Sequence, residues 1–295
     1  VVTIMMVQKL GGGNERAGFK SFALIIAVLF VVFVSFTCLT IREKSTVDVD
    51  SPSVGAMFKA LLQNDQAMTV VAAIVLINCS LYITSNLLIY FFKYDFAGDT
   101  WYNTYTLFNT FGGAMQILSM MIFFPLIRKF MNTVSIFYLS LVLAIGGYGI
   151  LLVMMCVGMH TLIALLVPAF FVFLAFGLLT VLTTVFLANT VDYGELKNGR
   201  RDESVIFSMQ TFVVKLASGV AALAASICLA ISHISKNTED VAVQAAGGSS
   251  VLILRATMTL LPIAGLFVSW IIFKKYFILT EKKVDEITKE LKKRA

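Results

Sequence analysis

From Phe130 to Val191 the chain carries 62 consecutive residues without a single Asp, Glu, Lys or Arg. A soluble domain has no way to bury such a run, because each of its surface elements needs one polar face toward water. As one helix it would be about 93 Å long at ~1.5 Å per residue. That is roughly three times the ~30 Å hydrocarbon core of a bilayer. The run therefore reads as two membrane spans, joined near 157–161, where Gly158 and His160 break the apolar pattern. Pro168 falls inside the second span and is expected to kink it, which neighbouring helices can accommodate.

Composition extends the reading to the whole chain. Hydrophobic residues are 59% and charged residues 14%, against about 25% charged in soluble proteins. A disordered or collagen-like chain, a disulfide-stapled secreted domain and a free-standing cytosolic enzyme are excluded. Seven stretches reach spanning length: 21–40, 69–92, 101–127, 132–157, 161–191, 204–233 and 250–279. The expected class is an all-α membrane protein of about seven transmembrane helices, with the lipid bilayer as its solvent. The four cysteines (Cys38, Cys79, Cys156, Cys228) lie in apolar stretches without CxxC spacing, so neither a disulfide nor a metal site is expected. His160 and His233 have no Cys or carboxylate at ligand spacing.

Net charge is +6, but topology explains it more simply than nucleic acid, and no nucleic-acid partner is expected. Sixteen cations fall on one side of the spans: Arg42, Lys44, Lys59, Arg128, Lys129, Lys197, Arg200, Arg201 and the eight from Lys274 to Arg294. The opposite connections hold Lys93 and Lys236. The cation-rich side is read as cytoplasmic, with the C-terminus there and the protein in the inner membrane. Lys9, Arg16 and Lys20 run against this pattern.

Residues 1–10 (VVTIMMVQKL) look like the end of a span already under way, followed by a glycine loop. A stub plus seven spans is an odd arrangement, and the chain is expected to be the trailing part of something longer. Residues 1–40 would close a first bundle, and 41–66 would be a cytoplasmic linker with a short surface helix at Ser53–Leu62. Residues 67–280 would form a six-helix bundle and 281–295 a basic cytoplasmic tail, helical near the headgroups or simply solvated. The run Gly13–Ser21 resembles a phosphate-binding loop, but Phe19 displaces the lysine by one position and no strand precedes it.

Lys215 is the most informative residue. It lies about 16 Å of helical rise from the nearer end of its span, too deep to snorkel, where a lysine costs about 2.5–3.5 kcal/mol on insertion scales. Ser204, Ser208, Thr211, Lys215, Ser218, Gly219, Ala222 and Ser226 share one helix face, with Phe212, Leu216, Val220, Leu223 and Ile227 on another. The first face suits water, ligand or close helix contact; a packing seam explains its small residues but not the ammonium. Asn78, Tyr82, Ser85 and Asn86 line one face of 69–92. Tyr102, Tyr105, Asn109, Gly112, Gly113 and Gln116 line one face of 101–127. Aromatic rings beside amides and hydroxyls suit a neutral polyol; hydrogen bonding between helices would give the same stripes, and Trp101 and Tyr102 also suit interfacial anchors. No acidic residue lies at the depth of Lys215, so its counter-charge is expected from helices preceding Val1. A lysine facing such carboxylates is a natural coupling element. Asp192, Glu195, Arg200, Arg201 and Glu203 crowd one cytoplasmic connection. They read as a gate of ion pairs, or as a topogenic loop with neutralising acids.

The run Val191–Lys215 (VDYGELKNGRRDESVIFSMQTFVVK), together with YFFKYDFAG at 90–98, resembles the glycoside–pentoside–hexuronide:cation symporter family, the melibiose permease group of the major facilitator superfamily. The resemblance extends over essentially the whole chain. It implies twelve helices in two bundles around a mid-membrane cavity, this chain supplying the last helix of the first bundle and all six of the second. It implies alternating access and cation-coupled symport of a sugar or glycoside. Lys215 would lie beside the cation site, and Gln210 and Thr211 near the sugar. No cofactor is implied: the coupling ion, Na⁺ or H⁺, would sit mainly in the first bundle. Where the melibiose carrier has a tryptophan, this chain has Thr180, so a galactoside-stacking surface is not carried over. A lysolipid transporter of the same superfamily would replace the Asn/Tyr stripes with apolar faces. A truncated, non-transporting sensor or assembly partner is the other class. An intramembrane enzyme lacks any Ser/His, Asp pair or metal cluster at membrane depth.

Overall fold

The computed structural model describes residues 2–12, 14–41, 55, 59, 62–96, 101–158, 161–199, 201–232, 234 and 248–294. They form two compact units, Val1–Ser51 and Pro52–Ala295. Among the described residues seven helices are long and apolar enough to cross a membrane, and they fall on the seven expected stretches. The surface helix expected at Ser53–Leu62 lies largely outside the described residues.

In the first unit α1 (Val2–Gly11) turns into α2 (Glu15–Thr40). Gly12 takes a left-handed φ of 52°, and Asn14 caps α2 by accepting from the Ala17 amide at 3.2 Å. Along α2 the side chains of Phe30, Val31, Phe33 and Phe36 are exposed, a surface that suits lipid or packing against further helices.

In the second unit α3 (Asp65–Phe91) is extended by a π-helical turn at Phe92–Phe96. Next, α4 (Trp101–Leu118) passes through a second π turn, Ser119–Phe123, into α5 (Phe124–Arg128). Three long helices follow: α6 (Thr133–Val157), α7 (Leu162–Asn198) and α8 (Glu203–Ile231). The chain closes with α9 (Gly248–Tyr276) and α10 (Glu281–Arg294). Gly158, at φ 75°, ends α6 in the left-handed conformation that favours glycine. The break in the 62-residue run thus lies where the sequence places it. Pro168 sits within α7, which is continuous across it.

Helices α3 and α7 form the middle of this unit: α3 packs on α8 and α9, α7 on α4 and α6, and the two touch each other. Glycines set the closest approach. A Cβ on Gly177 of α7 would stand 2.5 Å from the Ser119 Cβ, and one on Gly112 of α4 would meet the Phe173 ring. The buried Ser119 hydroxyl donates to the Leu174 carbonyl at 2.6 Å, from within the π turn of α4. Pro262 removes one backbone donor from α9, and the Thr84 hydroxyl of α3 takes up the freed Met258 carbonyl at 3.0 Å. Phe137, Phe186, Phe273 and Phe277 form one aromatic cluster joining α6, α7 and the end of α9, with centroids 4.1–5.6 Å apart.

At the Asp65 end, Asn64 caps α3 through the Ala67 amide and donates to the Thr190 carbonyl at 2.8 Å. Gln66 bridges the Tyr276 carbonyl and the Ile278 amide, closing the end of α9. The tail helix α10 docks on α7 with Ile287 buried. Glu281 at its start accepts from the Thr133 amide and hydroxyl and pairs with Arg128 at 2.7 Å. Of the two tail readings, a helix by the headgroups and a simply solvated charged tail, the fold has a helix. Its apolar side is spent on the protein's own bundle.

Candidate functional site

At mid-length of α3 and α7 the second unit opens a recess of about 380 Å³, within the ~300–1,000 Å³ range of small-molecule sites. Asn78 and Tyr82 come from α3, Gln116 from α4, Thr180, Thr183 and Thr184 from α7, and Gln210 from α8. The rest of the described wall is Ile, Leu, Val and Phe, and among the described residues no formally charged side chain lines it. Each threonine hydroxyl donates back to its own helix: Thr180 to Phe176, Thr183 to Leu179, Thr184 to Thr180. The Asn78 amide nitrogen does the same toward Ile74 at 2.8 Å. These bonds spend the donors and leave oxygen lone pairs available. The Gln210 amide, 3.4 Å from the Thr184 hydroxyl, Gln116 and the Tyr82 hydroxyl supply donors. The recess is neutral, hydrogen-bonding in both senses, and partly aromatic.

The other stripe residues lie elsewhere. Asn109 lines a second, smaller recess with Ser85, Thr84, Tyr148, Phe108 and Phe173, separated from the first by Leu81, which borders both. Tyr105 packs edge-on against Phe92 at 5.9 Å, and its carbonyl accepts from Asn109. Asn86 is exposed one turn beyond Tyr82. Thr211 is exposed and donates to Phe207 of its own helix at 3.3 Å. The family resemblance had pointed to the Thr180 position, whereas sequence reasoning passed over Thr183 and Thr184 as lining; the i, i+3, i+4 spacing of the three within α7 was the available signal.

Lys215 sits on the exposed side of α8, opposite the stripe of Val205, Met209, Val213, Ala217 and Ala221 that packs into the unit. Ser204, Ser208, Thr211, Ser218, Gly219, Ala222 and Ser226 are exposed along with it. The polar face of α8 therefore points away from its own unit. Among the described residues no carboxylate pairs with Lys215.

At the Asp65 end, Arg201 gathers three carboxylates: Glu195 at 2.7 Å, Asp192 at 3.1 Å and Glu203 at 3.1 Å. Hydrogen bonds to Glu195 and then Glu203 push the Arg201 guanidinium above its ordinary range. A second knot ties α7 to α3, where Lys197 and the Tyr193 hydroxyl both reach Asp65, at 2.5 and 3.1 Å. Arg200 lies outside the described residues.

One ionic site had no counterpart in the sequence reading. Arg255, in the third turn of α9, forms a two-pronged pair with Asp95 of the first π turn, at 2.7 and 2.5 Å. Its third bond, at 2.7 Å, goes to the Met155 carbonyl in the last turn of α6. The signal was a lone arginine inside the apolar stretch 250–279.

Comparisons with known proteins agree with this architecture. The family described as MFS/sugar transport protein matches residues 1–279. The chain is 25% identical to the lactose permease of Lactobacillus delbrueckii subsp. bulgaricus, over 99% of its own length and 45% of the permease. It is 28% identical to the raffinose carrier protein of Pediococcus pentosaceus, over 98% of its length and 44% of the carrier. It is 24% identical to the inner membrane symporter YicJ of Escherichia coli, over 99% of its length and 61% of that protein. The chain thus spans about half the length of the curated relatives it matches. The match covers nearly the whole chain and bears out the resemblance carried by the Val191–Lys215 run, so this is a multi-pass membrane protein that belongs to the MFS/sugar transport protein family, a family of transporters rather than enzymes.

Proposed function

We propose that this chain is the C-terminal part of a cation-coupled sugar symporter of the inner membrane, working by alternating access. The observation that carries the proposal is the neutral recess of Asn78, Tyr82, Gln116, the three threonines and Gln210. A sugar presents hydroxyls that both donate and accept, and this wall answers both with no net charge to desolvate. A lysolipid carrier would want an apolar wall for an acyl chain, so the amide and hydroxyl content favours the sugar. Lactose and raffinose, named for two relatives, head the panel of substrates.

The exposed polar face of α8 would meet helices of the whole protein that lie outside this chain. Carboxylates there would hold Na⁺ or H⁺ and answer Lys215, so that ion binding and sugar binding share one charge balance. Asp192, Glu195, Arg201 and Glu203 would form the cytoplasmic gate with Arg200, the C-terminus lying on that side. Reconstituted full-length protein should accumulate one of the panel sugars against a gradient when Na⁺ or H⁺ is imposed. Lys215→Ala should abolish accumulation while leaving sugar exchange between equal pools measurable. Uphill uptake that survives the substitution discards the coupling role. A wild-type protein that moves no sugar points to the sensor or assembly reading.

A further inference from the structure

Asp95 and Arg255 stand apart from every other ion pair among the described residues. Their side chains are 4% and 18% exposed, whereas at least one side chain of each other pair is 39% exposed or more. The geometry is two-pronged, Nε to Oδ2 and Nη2 to Oδ1, which fixes orientation as well as distance. Nη1 is spent on the Met155 carbonyl, in the last turn of α6, where unpaired carbonyls carry partial negative charge. Three helices, α3, α6 and α9, therefore meet at one guanidinium. The π turn Phe92–Phe96 contains Asp95, and the residue it inserts re-aims the side chains beyond it relative to a continuing α-helix. Phe91, Phe92 and Phe96 pack around one another beside it, with centroids 5.2–5.9 Å apart.

We propose that Asp95 and Arg255 are positioning residues: they lock the Asp95 end of α3 to α6 and α9, so that α3 carries Asn78 and Tyr82 as part of a rigid body throughout the transport cycle. This rests on the sugar-recess reading for its functional half. The contrast with the Asp65 end supports it. There, exposed carboxylates share Arg201 and can change partners in water at little cost. A buried two-pronged pair loses its partner only with an uncompensated charge left behind, so it suits an end that stays closed upon itself. The recess sits on α3 between the two ends, and a loosened α3 would present Asn78 and Tyr82 in a spread of positions, weakening binding before turnover.

The test uses full-length protein in lipid, with Asp95→Asn, Arg255→Gln and Arg255→Lys. Amide exchange over residues 85–96 should speed up roughly tenfold or more in the two neutralised variants and less in Arg255→Lys, whatever the substrate proves to be. In sugar uptake the neutralised variants should show KM raised about tenfold with Vmax within about twofold. Arg255→Lys, which keeps the charge but not the fork, should fall between. Unchanged exchange overturns the lock, as does lost Vmax at unchanged KM, which is the signature of a moving gate. Should the neutralised variants fail to fold, Arg255→Lys alone decides by the same two readouts. Faster exchange in a protein that moves no sugar upholds the lock and removes the sugar reading instead.

Discussion

The Thr84 hydroxyl on α3 lies 3.0 Å from the Met258 carbonyl on α9, the carbonyl that Pro262 leaves without a backbone donor. The same hydroxyl is 3.0 Å from the buried Tyr148 phenol of α6. Thr84→Val should therefore destabilise the detergent-purified protein by roughly 1–3 kcal/mol, read as a lower Tm. Pro262→Ala restores an amide for Met258, so in that background the Thr84→Val loss should shrink by about half or more. Equal losses in both backgrounds would show that the carbonyl does not depend on Thr84.

Helix α4 approaches α7 over Gly177, where an added Cβ would stand 2.5 Å from the Ser119 side chain and 2.7 Å from the Gln116 carbonyl. Backbone cannot yield as a flexible side chain does, so Gly177→Ala should cost about 1–3 kcal/mol and shift α4. Gln116 lines the recess, so ligand affinity should fall with it. Gly113→Ala, on the same α4 but with open space around its Cβ, should stay within ~0.5 kcal/mol of the parent. A pair of scans that showed both variants alike would remove the close-approach account.

Much of this was legible in the sequence because the bilayer imposes so few options. Span number, the turn at Gly158 and the polar face of α8 follow from charge-free runs and helical period alone. The recess was half legible. Asn78, Tyr82 and Gln116 stood out as amides and a phenol in apolar helices, and Gln210 and the Thr180 position came only from the family resemblance, whereas Thr183 and Thr184 blended into a β-branched, apolar run. Tyr105, Asn109 and Asn86 share stripes with the lining residues yet leave the recess, because a stripe spans several turns and a recess only one or two; Thr211 lies on the exposed face of α8 instead. The Asp95–Arg255 pair was illegible for a different reason. Its carboxylate lies at a helix end, where acids are ordinary, and a π turn that no residue pattern announces carries it inward.

Arg201 is half exposed, so its ion pairs should contribute little to folding. Arg201→Ala is expected to change stability by less than about 1 kcal/mol in physiological salt. Its effect belongs on uptake instead, since Asp192, Glu195 and Glu203 would then repel one another where a gate should close. Arg201→Lys should recover only part of the rate, because one ammonium cannot match a planar fork held between three carboxylates. Full recovery by lysine would reduce the cluster to simple charge balance.

The two exposed faces of α8 make opposite demands on their surroundings. Lys215 and Ser218 should face water within the assembled protein, while Leu223 and Ile227, 62% and 50% exposed, should face lipid or apolar packing. With the four native cysteines replaced in full-length protein, Lys215→Cys and Ser218→Cys should react in intact membranes with a charged, membrane-impermeant maleimide applied from one side or the other. Leu223→Cys should react only with an apolar maleimide. Saturating sugar should slow the first two and leave the third unchanged, because ligand occupies the aqueous path and not the lipid. If Ser218→Cys proves as inert as Leu223→Cys, the polar stripe is a dry helix contact, and Lys215 then needs a partner there that binds it permanently rather than one that comes and goes with the ion.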